Sequence, residues 1–241
     1  MTPGHRRYFY ALATLFAVWW LVLAIRPSYR HDWLLENAIV FVFVVSLVMT
    51  KSWFTFSRVS MTLIFVFLCL HEIGAHYTYA EVPYDQWIFS LTGLSLNDFL
   101  GWERNNYDRI VHFFYGLLLA YPIRELLLRV ANVRGFWGYF LPLNLTMSTS
   151  MIFELIEWGA AELFGGELGM AYLGTQGDIW DAHKDMALAS LGALIAMLVT
   201  AAINIFLQKD FAHEWAESLR SKSAEPLGET AIWRMFMERR R

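Results

Sequence analysis

Long apolar runs separated by short charged segments dominate the chain from Tyr8 to Leu207. The runs are roughly 17 to 25 residues long, the length an α-helix needs to cross a ~30 Å hydrocarbon core at ~1.5 Å per residue. A chain in lipid must satisfy its own backbone hydrogen bonds, so runs of this length predict helices. The pattern predicts an all-α integral membrane protein, a bundle of about six transmembrane helices. They are placed at Tyr8 to Ile25, Trp33 to Thr50, Val59 to His76, Asp108 to about Arg129, Phe136 to about Phe164, and Asp178 to Leu207. His5-Arg6-Arg7 resembles the start of a signal peptide. The run behind it lacks a small-x-small cleavage site and ends in Arg26-Pro27, so it reads as a retained helix.

Beyond Leu207, the residues Phe211, Trp215 and Leu219 recur at helical spacing with charges between them, which predicts a short amphipathic helix on a membrane surface. The closing Glu-Arg-Arg-Arg reads as disordered. No internal repeat or low-complexity tract divides the chain. The domain reading is one transmembrane unit over residues 1–207 and a cytoplasmic amphipathic or disordered tail over 208–241.

Charge then orients the bundle. Arg6 and Arg7, Lys51 and Arg58, and Arg124, Arg129 and Arg134 fall at alternate helix ends, as a cytoplasmic face would under the positive-inside rule. Both termini are then cytoplasmic and the protein sits in the inner membrane. Tyr77 to Tyr107 becomes an external cap carrying Glu81, Asp85, Asp98 and Glu103 beside Trp87 and Trp102. Gly165-Gly166 and the stretch Gly169 to Gly177 read as a second, turn-rich external loop.

Composition supports this reading and narrows the chemistry. The chain is 57% apolar and 17% charged, with a mean hydropathy of +0.38, too hydrophobic for a soluble domain of its size. A net charge of -3 and the lack of a basic stripe interleaved with aromatics predict no nucleic-acid partner. The bilayer is the expected partner. Cys69 is the only cysteine, so disulfide frameworks and cysteine-based zinc sites are excluded. Any metal must use histidine and carboxylate ligands.

Four helix ends carry such ligands at helical spacing: Glu72 with His76, Asp108 with His112, Glu154 with Glu157, and Asp178 with Asp181 and Asp185. Residues three, four or seven apart share a helix face, so each set can aim at one point. The topology puts all four sets on the external half of the membrane. An ionisable group at that depth costs roughly 2.5 to 3.5 kcal/mol on insertion scales, and several carboxylates together repel. A divalent cation relieves both penalties, and imidazole with carboxylate suits zinc, manganese or iron. The expected metal ligands are Glu72, His76, Asp108, His112, Glu154, Asp178, Asp181 and Asp185, with Glu157 left as a general base. His71 lies about 140° round the helix from His76 and stands as the substitute on that helix. His183 points away from Asp181 and reads as an interface residue. Gly74, Gly116, Gly159 and Gly192 read as close helix contacts.

Several of these segments together resemble one family. Leu70-His-Glu-Ile-Gly-Ala-His76 with Tyr77 and Tyr79, Asn106-Tyr-Asp-Arg-Ile-Val-His112, Phe153-Glu-Leu-Ile-Glu-Trp158 and Gln176-Gly-Asp-Ile-Trp-Asp-Ala-His-Lys-Asp-Met186 are similar to the YjdF-like inner-membrane proteins. The resemblance runs from about Arg26 to Leu207. It implies a multi-span inner-membrane protein and supplies neither reaction nor ligand.

Three functions fit the residues. The first is metal-dependent action on a lipid headgroup or other envelope-side substrate. As a hydrolase it would use a metal-bound water with its pKa lowered toward ~7 and Glu157 as base. The second is a transporter or cation-binding permease, although no helix broken in both halves and no inverted repeat supports it. The third is a non-catalytic structural or assembly protein whose buried polar groups hold helices in register.

Overall fold

The computed structural model describes residues 2–165, 174–208, 210–222 and 228–239. The chain runs through α1 (Pro3–Leu23), α2 (Arg30–Thr50), α3 (Arg58–Tyr77), a 3-10 turn (Tyr79–Glu81), α4 (Tyr84–Thr92), α5 (Leu96–Leu100), α6 (Tyr107–Val130), α7 (Trp137–Phe164), α8 (Asp181–Leu207), α9 (Phe211–Ser218) and α10 (Glu229–Glu238). No strand occurs among the described residues. Four helices, α2, α3, α6 and α8, are long and apolar enough to cross a membrane. α1 and α7 have 21 and 28 residues, but Arg6 and Arg7 in the one and Asn144 and Glu154 in the other lower their hydropathy. Part of the glycine-rich loop expected before α8, residues 166–173, and the chain end, 240–241, lie outside the described residues.

Local chemistry sets the helix limits. Thr2 caps α1 by accepting from the His5 N–H, with Pro3 at the first turn, and Ser57 caps α3 by accepting from the Ser60 N–H. Gly93 and Gly101 take left-handed conformations that end α4 and α5. Inside the long helices, hydroxyls return to their own backbone. Ser46 donates to the Val42 carbonyl and Thr200 to that of Ala196, which removes unpaired polar groups from apolar surroundings.

α6 and α8 form the spine. They cross so closely that a Cβ on Gly116 would lie 1.9 Å from the Ala189 carbonyl oxygen, and one on Gly192 2.1 Å from that of Phe113. Ala120, Ala189, Ala193 and Ala196 continue this small-residue seam, which lets backbones approach where lipid provides no hydrophobic drive. Gly74 is likewise packed, against the Tyr79 ring. A Cβ on Gly159 would meet nothing within 4 Å among the described residues, which corrects its reading as a helix contact.

Successive long helices run in opposite directions, which leaves α1 parallel to α3 and α6 parallel to α8, so the bundle has two chemically distinct ends. At one, the Ser28 N–H donates to the His76 carbonyl 2.9 Å away, joining the end of α1, the start of α2 and the end of α3. At the other, the Glu125 carboxylate accepts from the Ser57 N–H and the Ser60 hydroxyl while pairing with Arg129, tying α6 to α3. α9 folds onto this second end. Phe211 and Trp215 pack on Tyr139, and Ser218 accepts from the Phe136 N–H.

The segment between α3 and α6 is a folded cap. Asp85 joins α4 to α5 by accepting from the Ser95 hydroxyl and the Asn97 N–H, and those bonds hold its carboxyl below the usual range. Leu91, Leu94 and Phe99 point outward from it, the arrangement of a segment lying at a headgroup boundary.

Candidate functional site

Asp108 and His112 occupy the first turns of α6, one above the other at i and i+4. Asp181 and Asp185 hold the matching positions on α8, and the close crossing of the two helices brings the four residues together. Acids in a first helical turn are favoured by the helix dipole, which partly offsets their burial. Glu154 and Glu157 arrive from α7, which packs against both α6 and α8.

His112 is the centre of the arrangement. Its Nε2 lies 3.5 Å from Asp108 Oδ1 and 3.4 Å from Glu154 Oε1. Donor atoms of Asp108, His112 and Asp185 all fall within 4.8 Å of one another. Two bonds of ~2.0–2.1 Å at a tetrahedral ion set their donor atoms ~3.3–3.4 Å apart, so both His112 distances match edges of such a polyhedron. Asp185 Oδ1 and Glu154 Oε1 are buried and have no hydrogen-bond partner among the described residues. Glu157, 7% exposed, lies within electrostatic reach of Asp108, Glu154, Asp185 and Glu36.

The nearby cations are committed elsewhere. Arg104 pairs with Asp181, and Arg109 reaches Asp178 at 2.5 Å and Asp181 at 3.1 Å. Lys184 holds Asp178 at 2.5 Å. Asp178 therefore stands outside α8, where its Oδ1 accepts from the Trp180 N–H and starts the helix three residues later than the pattern predicts. Lys184, the Trp180 N–H and Arg109 hold its carboxyl far below the ordinary value. Asp178 and Asp181 are arginine partners that border the cluster rather than members of its unpaired set.

α3 is arranged differently from the expectation. His76 turns to the Leu23 carbonyl, with Nδ1 2.6 Å from that oxygen, and so closes the α1 end. Glu72 is wholly buried beside Asn37, with neither carboxylate oxygen hydrogen-bonded among the described residues. His71, held as the substitute, is the α3 histidine that borders the same cavity as Asp108 and His112. Its Nδ1 meets the Tyr79 hydroxyl at 2.6 Å and its Nε2 the Glu36 carbonyl at 3.3 Å. Burial, and then the charges of Glu36 and Asp108, push the Tyr79 phenol well up, so it remains a donor and fixes His71 with its proton on Nε2. His183 is exposed against Trp180.

α2 adds residues that the helix-end reading passed over. Asp32 and Glu36 sit four apart, both buried, with Asp32 accepting from the Thr78 hydroxyl. Their i, i+4 spacing at a helix start is the same signal that marks Asp108 and His112. It was hidden because α2 otherwise reads as plain lipid-facing helix.

The family model for predicted membrane proteins designated DUF2238 matches residues 8–205. The chain is 38% identical over 185 residues to the inner membrane protein YjdF of Escherichia coli (strain K12), covering 75% of this chain and 84% of that protein. No solved structure matches it. A family match across nearly all of the helical bundle, together with that identity, places the chain in the DUF2238 family of multi-pass membrane proteins.

Proposed function

We propose that this chain is an inner-membrane protein of six spanning helices whose outward end carries a divalent-metal centre, acting on a lipid headgroup or another envelope-side substrate. The ligands are Asp108, His112, Glu154 and Asp185. α1 and α7 complete the set of spans because they have 21 and 28 residues, at least as many as the 20 of α3, and pack within the same bundle. The inner-membrane assignment rests on the likeness to YjdF.

One observation carries the metal reading: His112 Nε2 stands within ligand-to-ligand distance of two carboxylates, while Arg104, Arg109 and Lys184 pair with Asp178 and Asp181 instead. Unpaired acids at membrane depth need a proton or a cation, and a histidine among them selects a borderline transition metal over magnesium. An ion held there would supply an acidified water. Glu157, one turn along α7 from Glu154, would be the general base for it. Asp181, through Arg104 and Arg109, anchors the rim.

The test is elemental analysis of the detergent-solubilised chain, purified without chelator and collected as the monodisperse fraction. About one equivalent of zinc, manganese or iron per folded chain is expected. Absence of metal after purification, together with no binding on titration, overturns this reading and leaves the buried acids as helix-register groups.

A further inference from the structure

A cavity of about 330 Å³ lies between α2, α3, α6 and α7, and its two ends differ in chemistry. His71, Tyr79, Asp108 and His112 form the outer end; below it come the Tyr115 and Thr149 hydroxyls, bonded to each other, and Ser150, and the rest of the wall toward the middle of the bundle is apolar. Along α6 the lining passes from Asp108 through Val111, His112 and Tyr115 to Leu119, about 16 Å of helix. Ile64 and Phe67 of α3 and Val40 and Phe43 of α2 face it.

The cavity also has a side opening. α2 packs on α3, and no comparable contact joins α2 to α7. Ile39 on α2 and Ile152 and Ile156 on α7 flank that gap and are 41%, 49% and 49% exposed. α2 is one of the membrane-crossing helices, so the gap faces hydrocarbon rather than water. A chamber with an apolar floor, a polar head and a door onto lipid has the polarity of an amphiphile lying parallel to the helices. The volume is at the low end of ligand pockets, enough for one chain and not two.

We infer that this chamber seats a single linear apolar chain of a lipid, entering sideways between α2 and α7, with the lipid's polar head at Asp108 and His112. The inference rests on the proposed metal-dependent site for the chemistry at the head, but the seating of the chain stands on the cavity alone. Bound this way, the bond joining head to chain lies beside the His112 cluster. Selectivity for the substrate comes from chain length, measured against the Leu119 floor.

Dodecyl phosphate carrying a photoreactive diazirine at the end of its chain tests this on the intact protein in detergent. Cross-links should map to Phe43, Phe67, Tyr115 or Leu119, and unlabelled dodecyl phosphate should compete while inorganic phosphate should not. Competition by farnesyl phosphate of equal strength would assign the chamber to prenyl chains, and weaker competition to straight acyl or alkyl chains. Within a series from octyl to dodecyl phosphate, each added methylene should strengthen competition by about fourfold until the floor is reached. Leu119→Trp should move that limit to a shorter chain, and Ile39→Trp, at the exposed rim, should reduce cavity labelling with the fold intact. Both variants are read only in monodisperse protein. Cross-links confined to outward-facing positions, in protein that binds metal, overturn the chamber and leave the metal site standing. Cavity labelling in protein that binds no metal does the reverse.

Discussion

His112 is the residue on which the site turns, because its one imidazole nitrogen stands near two carboxylates from different helices. If a metal is held there, His112→Ala and Asp185→Asn should each weaken metal affinity by at least about tenfold, measured as metal per folded protein. Normalisation matters, since removing one partner of a buried charged pair can cost ~3 to 5 kcal/mol in its own right. Asp178→Asn should leave metal content unchanged, because that carboxylate is taken up by Lys184 and Arg109. Loss of metal in Asp178→Asn equal to that in His112→Ala would put Asp178 back among the ligands. Asp178 has its own signature in pH. Its carboxyl is held below the ordinary value of 3.8 by Lys184 first, then by the Trp180 N–H and Arg109. A depressed folded value gives stability that is present above the unfolded value and lost as pH falls through the folded one. Wild type and Asp178→Asn should therefore differ in thermal midpoint by a constant amount at neutral and mildly acidic pH. The difference should shrink only below 3.8.

Among the elements, the α6 and α8 pair decides whether the site exists, since Asp108 and His112 meet Asp185 only as closely as Gly116 and Gly192 permit. Gly116→Ala and Gly192→Ala each place a methyl against opposing backbone, which cannot move aside as a side chain could. Overpacking of that kind costs typically ~1 to 3 kcal/mol, and these variants should melt lower and lose metal together. Gly159→Ala, on an open face of α7, should do neither. The helices themselves are readable from apolar run length: α2 ends at Thr50, α7 at Phe164 and α8 at Leu207, as the pattern predicts. Ligand pairs on one helix are equally readable, because i and i+4 share a face in any helix. What one-dimensional spacing lacks is the rotation of each helix about its axis. That rotation turns His76 to the Leu23 carbonyl and puts His71 at the cavity, although both belong to the same short motif. Capping chemistry was also out of reach. Asp178 continues the spacing of Asp181 and Asp185, yet its bond to the Trp180 N–H leaves it outside the helix.

At the scale of the whole molecule, the alternating direction of successive long helices separates two groups of charge. Arg58 lies over Tyr8, Arg129 over Phe54 and Arg124 over Tyr139, which gathers the basic residues of α3 and α6 with the starts of α1 and α7 at one end. His112 and the acids around it lie at the other, with Arg104, Arg109 and Lys184 neutralised by Asp178 and Asp181. A basic end, where Glu125 pairs with Arg129 while Arg58 and Arg124 lie over rings, belongs on the cytoplasmic side under the positive-inside rule, so the cap that carries α4 and α5 should face outward. Asp98 is a suitable reporter: it is exposed in the first turn of α5 and forms none of the ion pairs found among the described residues. In a Cys69→Ala background, Asp98→Cys should react with a membrane-impermeant thiol reagent in intact cells. Lys222→Cys, exposed just beyond α9, should react only after the membrane is opened. The opposite pattern would turn the bundle over. The His112 cluster would then face the cytoplasm, its lipid would come from the inner leaflet, and an envelope-side substrate would be excluded while the cavity and its ligands remained as described.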